Sequence, residues 1–554
     1  MGNISILKSI LLLFLLFLLH HISIVNSTPR YIAVDNIVLN CGSAGNSTDI
    51  DKRMWIGDME PSKFAPIEEH NQKSNTSEAQ SQDSSVETIP YMTARLSYSQ
   101  FTYVFPVTSG PKFVRLYFYA DSYSGFDGSL AFFTVKANSK FTLLRNFSAS
   151  ILANYLGGSK RLSKEFCINV EEDQNLNLTF IPTPSTASSR LFAFVNGIEI
   201  VSMPKYLYYS SPENPSPPYV GQNVQFSIDN NRALEMILRL NMGGSSISSK
   251  GDTGMFREWS PDIPYLLSGG VIPRQPDLTL KYSVIPNYTA PDDVYRSAIT
   301  MGPNITWNLL SNLTWGLPVD PGFYYLVRLH FCEIEPSITM AGERPFIIYI
   351  DNKTAEATAD VIMWSGGRDT PVFQDYVVLI QKMGDEDHKS ILFIALHPGK
   401  ATNAIYDAIL NGVEVFKLSD NNNNLAGPNP ANTLLPSPPP TQQPASTSNS
   451  RKTRFIAIGI GVGLFLALIT LVCCLVVWKL RTSKLRYCSY YPVSKCWFWS
   501  DQNKGKLTRT KTSSLPEELC CQLSHQEIKT ATHNFDEGLV IGVGGFGKLR
   551  PHHE

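Results

Sequence analysis

Three glycines near the C-terminus have the spacing of a phosphate-binding loop. Gly542, Gly544 and Gly547 form Gly-x-Gly-x-x-Gly after a short β-like run that begins at Leu539. Because these residues have no Cβ, such a loop lets backbone N–H groups approach the phosphates of a nucleotide. The motif alone is weakly specific, so its sequence context has to decide what it does.

Eight Asn-x-Ser/Thr acceptors after residue 27 indicate a second chemistry, N-linked glycosylation. All of them precede residue 455, and they are Asn46, Asn75, Asn146, Asn177, Asn287, Asn304, Asn312 and Asn352. This distribution predicts that the part of the chain before residue 455 lies outside the cell. No Cys/His spacing indicates a metal site, and no nucleophile motif or glycosidase-type carboxylate pair predicts a catalytic residue.

The termini of this outer part predict its topology. Lys8 precedes the apolar run 10–19, and the small residues 26–28 follow, as in a secretion signal. The segment 455–478 has 24 residues without charge, enough to cross a bilayer as a helix. Nine Lys or Arg and a single acid follow in 479–511, which is typical of a cytoplasmic flank. We therefore expect a single-pass protein with its N-terminus outside.

Short β-strand patterns fill the region from Tyr31 onward, separated by Gly, Pro, Asn and Ser, as in a β-sandwich. Alternation in 113–119 and 325–331 predicts apolar faces and opposite polar faces. The apolar sets are Val114, Leu116 and Phe118, and Val327, Leu329 and Phe331; the opposite sets are Arg115 and Tyr117, and Arg328 and His330. With a formal charge of −1, nothing predicts nucleic-acid binding.

Four segments recur in the same order roughly 210 residues later, which predicts a tandem duplication. The pairs are Trp55-Ile-Gly-Asp58 with Trp259-Ser-Pro-Asp262, Phe105-Pro-Val107 with Leu317-Pro-Val319, the runs 113–119 and 325–331, and Phe194-Val-Asn-Gly-Ile-Glu-Ile200 with Ile409-Leu-Asn-Gly-Val-Glu-Val415.

These motifs carry a family resemblance. With Asn40-Cys-Gly42, Phe166-Cys-Ile-Asn-Val170 and Val327-Arg-Leu-His-Phe-Cys-Glu333, they resemble the tandem malectin-like ectodomain of plant receptor kinases, the FERONIA and THESEUS group. The resemblance covers nearly all of residues 28 to 420. The stretches 514–519 and 527–535, which precede the glycine-rich loop, resemble the opening of the kinase domain in the same group.

The resemblance implies a mainly β ectodomain of two tandem malectin-like jelly-roll β-sandwiches, a single transmembrane α-helix and a cytoplasmic remnant of a protein-kinase N-lobe. The predicted parts are a signal peptide (1–27), two malectin-like repeats (28–210 and 223–419) with a Pro-rich join (211–222), an Asn/Pro/Ser-rich stalk (420–454), the transmembrane helix (455–478), a basic juxtamembrane segment (479–521) and the start of a kinase domain (522–554).

The implied function is a plasma-membrane receptor for cell-wall polysaccharide or a secreted peptide, with a lipid-anchored co-receptor as a partner. The intact family uses ATP and Mg²⁺. Here Lys548 is followed by Leu549 to Glu554 in place of the family's Gly-Lys-Val-Tyr, and no phosphate-pairing Lys or Asp-Phe-Gly follows. We therefore expect Gly542, Gly544 and Gly547 to be a relic of the ATP loop, with no cofactor and no kinase activity in this chain.

Two alternatives stay open. The gene product continues into a serine/threonine kinase, and the C-terminus is a gene-model or frameshift artefact; or the protein is a wall-anchoring lectin without signalling. For sugar binding, Tyr117, Tyr119, Tyr123 and Phe126 could stack on a ring, although core packing is their more ordinary role. Of three ectodomain cysteines, Cys41 and Cys167 share a repeat and are the predicted disulfide, which leaves Cys332 over.

Overall fold

The computed structural model describes residues 31–430, except 69–72, 185–189, 214, 383–388 and 401–404, and the backbone of 542–544 and 547–549. The chain divides into two compact units at Gln442 and Gln443. The first unit holds all the described residues up to 430. The second is described only as a hairpin of two strands, Gly542–Gly544 and Gly547–Leu549.

The first sandwich precedes the Pro-rich join and encloses its own apolar core. Its strands are β1 (Asn36–Asn40), β2 (Asn46–Thr48), β3 (Met54–Gly57), β4 (Ile67–Glu68), β5 (Asn75–Glu78), β6 (Thr93–Ser97), β7 (Phe101–Phe105), β8 (Gly110–Tyr119), β9 (Phe133–Ala137), β10 (Phe141–Phe147), β11 (Arg161–Val170), β12 (Leu176–Pro182), β13 (Ala193–Val195) and β14 (Gly197–Ser202). Two short helices accompany them, α1 (Thr88–Tyr91) and α2 (Ala149–Tyr155), with a 3₁₀ turn at Gly128–Leu130.

The second sandwich follows the join and encloses a separate core. Its strands are β15 (Leu234–Asn241), β16 (Ser260–Pro261), β17 (Ile272–Arg274), β18 (Ala298–Thr300), β19 (Leu313–Val319), β20 (Tyr324–Phe331), β21 (Phe346–Ile350), β22 (Lys353–Ala359), β23 (Val372–Leu379), β24 (Ser390–Pro398), β25 (Ile409–Leu410) and β26 (Gly412–Leu418). Its helices are α3 (Asp292–Arg296), α4 (Ile305–Asn308) and α5 (Val361–Ser365), with 3₁₀ turns at Ser249–Gly251 and Ile263–Tyr265.

Strand alternation is confirmed on both central strands. Val114, Leu116 and Phe118 of β8 point into the first core, and the alternate residues of β20, Val327, Leu329 and Phe331, point into the second. The opposite faces carry charged groups that are also buried. The expectation of a mainly β protein is therefore correct, but the polar faces of these strands do not meet solvent.

One long sheet joins the two sandwiches. Its order is β2-β3-β1-β14-β8-β11-β15-β26-β20-β23, with β16 beside β15. The seam is the antiparallel pair β11 and β15, in which Glu165, Phe166 and Cys167 face Met236, Glu235 and Leu234. The second layers are separate sheets, β10-β9-β12-β7-β4 in the first sandwich and β19-β24-β21-β22 in the second.

A pair of equivalent asparagines explains the repeated Asn-Gly motif. The side chain of Asn196 donates to the carbonyls of Tyr91 and Thr93 and accepts from the N–H of Tyr119. Asn411 makes the same three bonds in the second sandwich, to Tyr295, Ser297 and Cys332. Each amide ties together strand ends that the backbone ladder leaves unpaired, because a buried carbonyl or N–H needs a partner.

The segment after β26 corrects the start of the predicted stalk, which the sequence analysis places at residue 420. Residues 420–430 instead return to the first sandwich. The N–H of Leu425 donates to the carbonyl of Thr142, and the Leu425 side chain is fully buried in the first core. Asn429 continues the contact by accepting from the N–H of Ser148. We call residues 420–430 the strap.

Other predicted segments lie outside the described residues: the signal peptide at 1–27, the stalk beyond residue 430, the apolar helix at 455–478 and the basic segment at 479–521. No helix within the described ranges combines the length and the apolar composition needed to span a bilayer. The domain boundaries themselves stay predictions.

The buried leucine of the strap gives a testable prediction. Leu425→Ala should lower the free energy of unfolding by about 2–5 kcal/mol, because it removes buried methyl groups and leaves a cavity. Chemical denaturation followed by tryptophan fluorescence measures the change. Leu310→Ala is the matched control, since Leu310 is 81% exposed and should change stability by less than about 0.5 kcal/mol. Equal effects of the two substitutions would contradict the strap's role.

Candidate functional site

Charged side chains form a buried chain across the seam. Glu165 lies at its centre, within 2.5 Å of Arg115 Nε from the first sandwich and 2.8 Å of Arg239 Nη2 from the second. All three side chains are nearly inaccessible to water. A carboxylate buried in this way needs both partners, because an unpaired charge in the protein interior is very costly.

Two further carboxylates extend the chain in both directions. Glu199 is 2.6 Å from Arg53 Nη2 and 3.2 Å from Arg115 Nη1, and Glu414 is 2.7 Å from Arg239 Nε and 3.0 Å from His330 Nε2. Positive and negative groups therefore alternate from the first sandwich to the second. Several partners face each other on adjacent strands, as Arg115 faces both Glu165 and Glu199, an arrangement that favours opposite charges.

The environment sets the protonation states in this chain. Burial alone would raise the pKa of Glu165, but Arg239 and Arg115 outweigh it and lower the pKa to about 2. Burial lowers the pKa of His330, so the ring is neutral at physiological pH despite its bond to Glu414. Because the Glu414 carboxylate only accepts, Nε2 of His330 donates to it, and Nδ1 accepts from the hydroxyl of Tyr295 at 2.8 Å.

A second buried chain lies beside the strap. Lys417 Nζ is 2.8 Å from Asp320 and 2.5 Å from Glu235. Glu235 also accepts from Lys164 of the first sandwich, at 2.7 Å. Lys389 completes the chain at Asp320. The second chain therefore adds another ion pair between the sandwiches, and both chains fix the position of one sandwich against the other.

The junction opens to solvent in a cleft of about 290 Å³. Tyr31, Arg53, Lys250 and Phe256 are among its lining residues. The guanidinium of Arg53 lies 3.7 Å from the centre of the Phe256 ring. Phe256 has φ 59°, a left-handed conformation that is strained for an aromatic residue. The buried pair Arg257–Asp252 holds the loop that imposes this conformation.

A second cleft, of about 340 Å³, lies at the end of the second sandwich. The residues 267–271, 301–302, 307–308 and 311–314 line it. Leu267 and Trp307 stand exposed beside it. Asn308 lines it and is itself buried, and Asn308 Oδ1 has no hydrogen-bond partner among the described atoms. The surface can therefore accept an apolar group.

The aromatic residues considered for sugar stacking are packing residues. Tyr119, Tyr123 and Phe126 are buried. Tyr117 is half-buried and donates to Glu199 at 2.6 Å. The more ordinary role, packing, is therefore the correct one, and the structure does not assemble these residues into an open sugar platform.

The eight glycosylation acceptors lie apart on the surface. Asn177 and Asn287 are half-buried, and the other six are exposed: Asn46, Asn75, Asn146, Asn304, Asn312 and Asn352. Nothing in their positions brings them together as one site. Their modification stays a prediction, and their exposure leaves room for it.

The glycine-rich motif forms a small hairpin. Gly542 and Gly544 lie in β27 (Gly542–Gly544), and Gly547 begins β28 (Gly547–Leu549), with Gly544 opposite Gly547. Among the described residues no other strand pairs with this hairpin. An isolated two-stranded hairpin is only marginally stable in water, and it does not enclose the phosphates of a nucleotide. The residues shown here do not by themselves form an ATP site.

The predicted disulfide is contradicted. Cys41, Cys167 and Cys332 are all free and buried. Cys41 lies in the first core, whereas Cys167 lies on the other face of the long sheet. The strands β1 and β11 are three positions apart in that sheet, about 14 Å at the usual strand spacing. A disulfide requires Cα atoms within about 7 Å. Within the described ranges, no group of three His, Cys, Asp or Glu residues could hold a metal ion.

Sequence reasoning missed the buried charge chains. The signal was present for two of the carboxylates, since Glu199 and Glu414 each interrupt an apolar run within the repeated Asn-Gly-Ile/Val-Glu motif. A charged residue within an apolar strand indicates either an exposed face or a buried partner. For Glu165, only the pairing of β11 with β15 shows that one partner, Arg239, lies in the other sandwich.

Comparison with known proteins extends these observations. Residues 39–418 match the family model of the malectin-like domain. The receptor-like protein kinase FERONIA of Arabidopsis thaliana is 43% identical over 97% of this chain and 60% of its own length. The chain spans about 60% of the length of FERONIA and of two other receptor-like protein kinases of Arabidopsis thaliana that it matches.

Two solved structures match the described unit. The plant peptide RALF23 in complex with FER and LLG2 gives a TM-score of 0.64 at 45% identity, over 72% of this chain and 99% of that chain. The extracellular domain of ANXUR1 from Arabidopsis thaliana gives 0.65 at 35% identity, over 72% and 100%.

The central carboxylate gives a prediction about pH. Because the pKa of Glu165 is lowered in the fold, its stabilising contribution is complete above the ordinary value of 4.5 and is lost as the pH falls towards about 2. Glu165→Gln should lower the free energy of unfolding at pH 7 by about 3–5 kcal/mol, since Arg239 and Arg115 lose their shared partner. The variant should also lose stability less steeply than wild type between pH 4.5 and 2.

Urea unfolding across this pH range measures both effects. Glu171→Gln is the control, because Glu171 is exposed and its nearest cation is 3.9 Å away. A Glu165→Gln variant with the same stability and pH profile as the control would refute a structural role for the charge chain.

Proposed function

The chain belongs to the malectin-like family, in the group of receptor-like kinases that includes FERONIA, and we propose that it is a cell-surface receptor for a secreted peptide, bound with a co-receptor. One observation carries this proposal: a 45% identical FER chain, matched over 99% of its length, was crystallised with the peptide RALF23 and LLG2. The described unit has the same fold.

The geometry supports a binding role for this unit. The buried charge chains fix the two sandwiches against each other, so the surfaces on either side of the seam keep their positions without a ligand. A surface organised before binding loses little conformational entropy when a partner arrives. A pair of sandwiches held in one arrangement therefore suits the recognition of a binding partner.

Plasma-membrane localisation is part of the proposal. Its support is the predicted secretion signal at 1–27, the uncharged segment 455–478 and the eight glycosylation acceptors that precede it. We expect the N-terminal unit outside the cell and the basic segment 479–521 in the cytosol, in a single-pass topology.

Glycosidase treatment tests this topology. The protein made in plant cells should run faster on a gel after its N-linked glycans are removed, because six acceptors are exposed. Protease added to intact cells should digest the N-terminal unit and spare an epitope placed after residue 511. An unglycosylated protein, or one protected from the protease, would rule out an extracellular N-terminal unit.

Peptide binding is tested with the purified full chain in detergent micelles. Immobilised chain should bind RALF23 in the presence of LLG2. Omission of LLG2 should weaken the binding of RALF23 at least tenfold, and omission of RALF23 should weaken the binding of LLG2 to the same extent. A peptide of the same composition in scrambled order is the control. The same weak binding for RALF23 and for the scrambled peptide would exclude this ligand class.

A cell-wall polysaccharide is the second candidate ligand. The cleft at the junction favours it, since Tyr31 and Phe256 place aromatic rings beside Arg53 and Lys250, a mixture that suits the faces and hydroxyls of a sugar. Binding of wall oligosaccharides without any binding of peptide would favour a lectin-like role.

Kinase activity is a separate proposal. It requires that the gene product continues beyond Gly547 into a kinase domain. Sequencing of the transcript across the codons for Gly547 to Glu554 tests it.

A further inference from the structure

The two sandwiches differ at one equivalent connection. In the first, β6 and β7 are joined by three residues, 98–100, whereas in the second the corresponding strands β18 and β19 are joined by twelve, 301–312. The equivalence follows from the ladders, because β6 pairs with β13 and β18 pairs with β25, just before the two equivalent asparagines. The second copy therefore carries an insertion at this end of the sandwich.

The insertion is well anchored but exposes large apolar side chains. Asn308 donates to the carbonyls of Gly302 and Tyr406, and Asn304 caps helix α4 by accepting from the N–H of Trp307. Exposure is 55% for Ile305, 57% for Trp307 and 81% for Leu310. A tryptophan held exposed on an ordered loop is the type of residue that dominates binding energy at protein interfaces.

The apolar surface continues from the insertion onto the sheet. Leu267, 61% exposed, lines the 340 Å³ cleft together with Trp307. It also lies over Gly316 of β19, where an added Cβ would come within 3.1 Å of Leu267 and 3.2 Å of Ile391. We call the insertion 301–312, Leu267 and the outer residues Gly316, Ile391 and Phe393 the apolar platform.

The equivalent sheet face of the first sandwich provides a comparison for the apolar platform. By the ladder registers, Phe393 pairs with Gly316 in the second copy as Asn177 pairs with Val104 in the first. The first face is polar, with a hydrogen bond between Thr102 and Thr179. Its equivalent of Phe393 is a glycosylation acceptor. An outer sheet face is ordinarily polar, so the second copy is the exception.

The platform's chemistry favours one occupant. The stretches 263–273 and 301–319 contain no charged residue. An acidic polysaccharide or a lipid surface would require basic groups there. An apolar, uncharged polypeptide segment matches the composition of this surface.

We propose that the apolar platform of the second sandwich docks an apolar, uncharged segment of the peptide ligand. This inference rests on the proposed function and adds the surface and the chemistry of recognition. Trp307 and Leu310 supply the exposed apolar anchors, and the 340 Å³ cleft takes a ligand side chain.

The test uses the full chain in detergent with RALF23 and LLG2 as probes. Trp307→Ser and Leu310→Ser should each weaken binding at least tenfold, and both should fold because the side chains are exposed. Tyr206→Ser, which removes an exposed aromatic ring outside the platform, should bind like wild type.

A second variant creates a glycosylation acceptor on the platform. Phe393→Asn with Ala395→Thr creates the acceptor Asn-Ile-Thr at the position equivalent to Asn177-Leu-Thr179, which the same fold tolerates. The glycan should abolish binding in protein from plant cells, and enzymatic removal of the glycans should restore part of it.

The outcomes separate the two proposals. If wild type binds neither probe, the proposed function fails and the platform fails with it. If wild type binds and all platform variants bind equally well, the platform alone is refuted. If wild type sediments as a dimer and the variants as monomers, the platform is a self-association surface and the peptide assignment is wrong.

Discussion

The buried carboxylate of Glu165 sets the arrangement of the whole N-terminal unit. It lies between a guanidinium of the first sandwich and one of the second, where water cannot replace either partner. Separation of the sandwiches would break the pair Glu165–Arg239, would leave each of these two groups with one partner fewer, and would require water to enter the seam. The cost of burying charge therefore holds the sandwiches in one geometry, which a purely apolar seam could not specify as narrowly. The strap acts in the same sense, since Leu425 leaves the second sandwich to fill the core of the first.

The two sandwiches share the same buried hydrogen-bond arrangements but differ in the residues on their outer faces. Asp58 accepts from the N–H of Gly42 and from Tyr103, and Asp262 accepts from the N–H of Gly243 and from Trp315. These buried carboxylates and the equivalent asparagines are hydrogen-bond partners for backbone groups that the strand pairing leaves without one. The outer faces carry no such constraint. The first has polar residues and a glycosylation acceptor, and the second has an apolar sheet face with an inserted helix.

Much of the fold was predictable because strand alternation has a period of two. Once Val114, Leu116 and Phe118 were assigned to the core, the opposite position of Arg115 followed from backbone geometry alone. The repeated motifs likewise indicated the duplication and the family. The candidate surfaces were not predictable in the same way. The sequence around Trp307 and Leu310 does not distinguish them from ordinary strand or loop residues. The strand pairing shows that their connection, 301–312, is longer than the equivalent connection 98–100. The disulfide prediction failed for a related reason, because sharing a repeat does not place two cysteines on the same face.

The sequence by itself determined the class of the protein, its strands and their inward faces, since these depend on local periodicity and on short motifs. It also determined the absence of charge over 301–319, which limits what that surface can bind. Only the tertiary structure decided that β11 pairs with β15, that residues 420–430 return to the first sandwich, and that Glu165 meets Arg239. These are contacts between residues far apart in the chain, and their energy depends on which groups lose water together. No local pattern contains that information, because burial is a property of the assembled sandwiches.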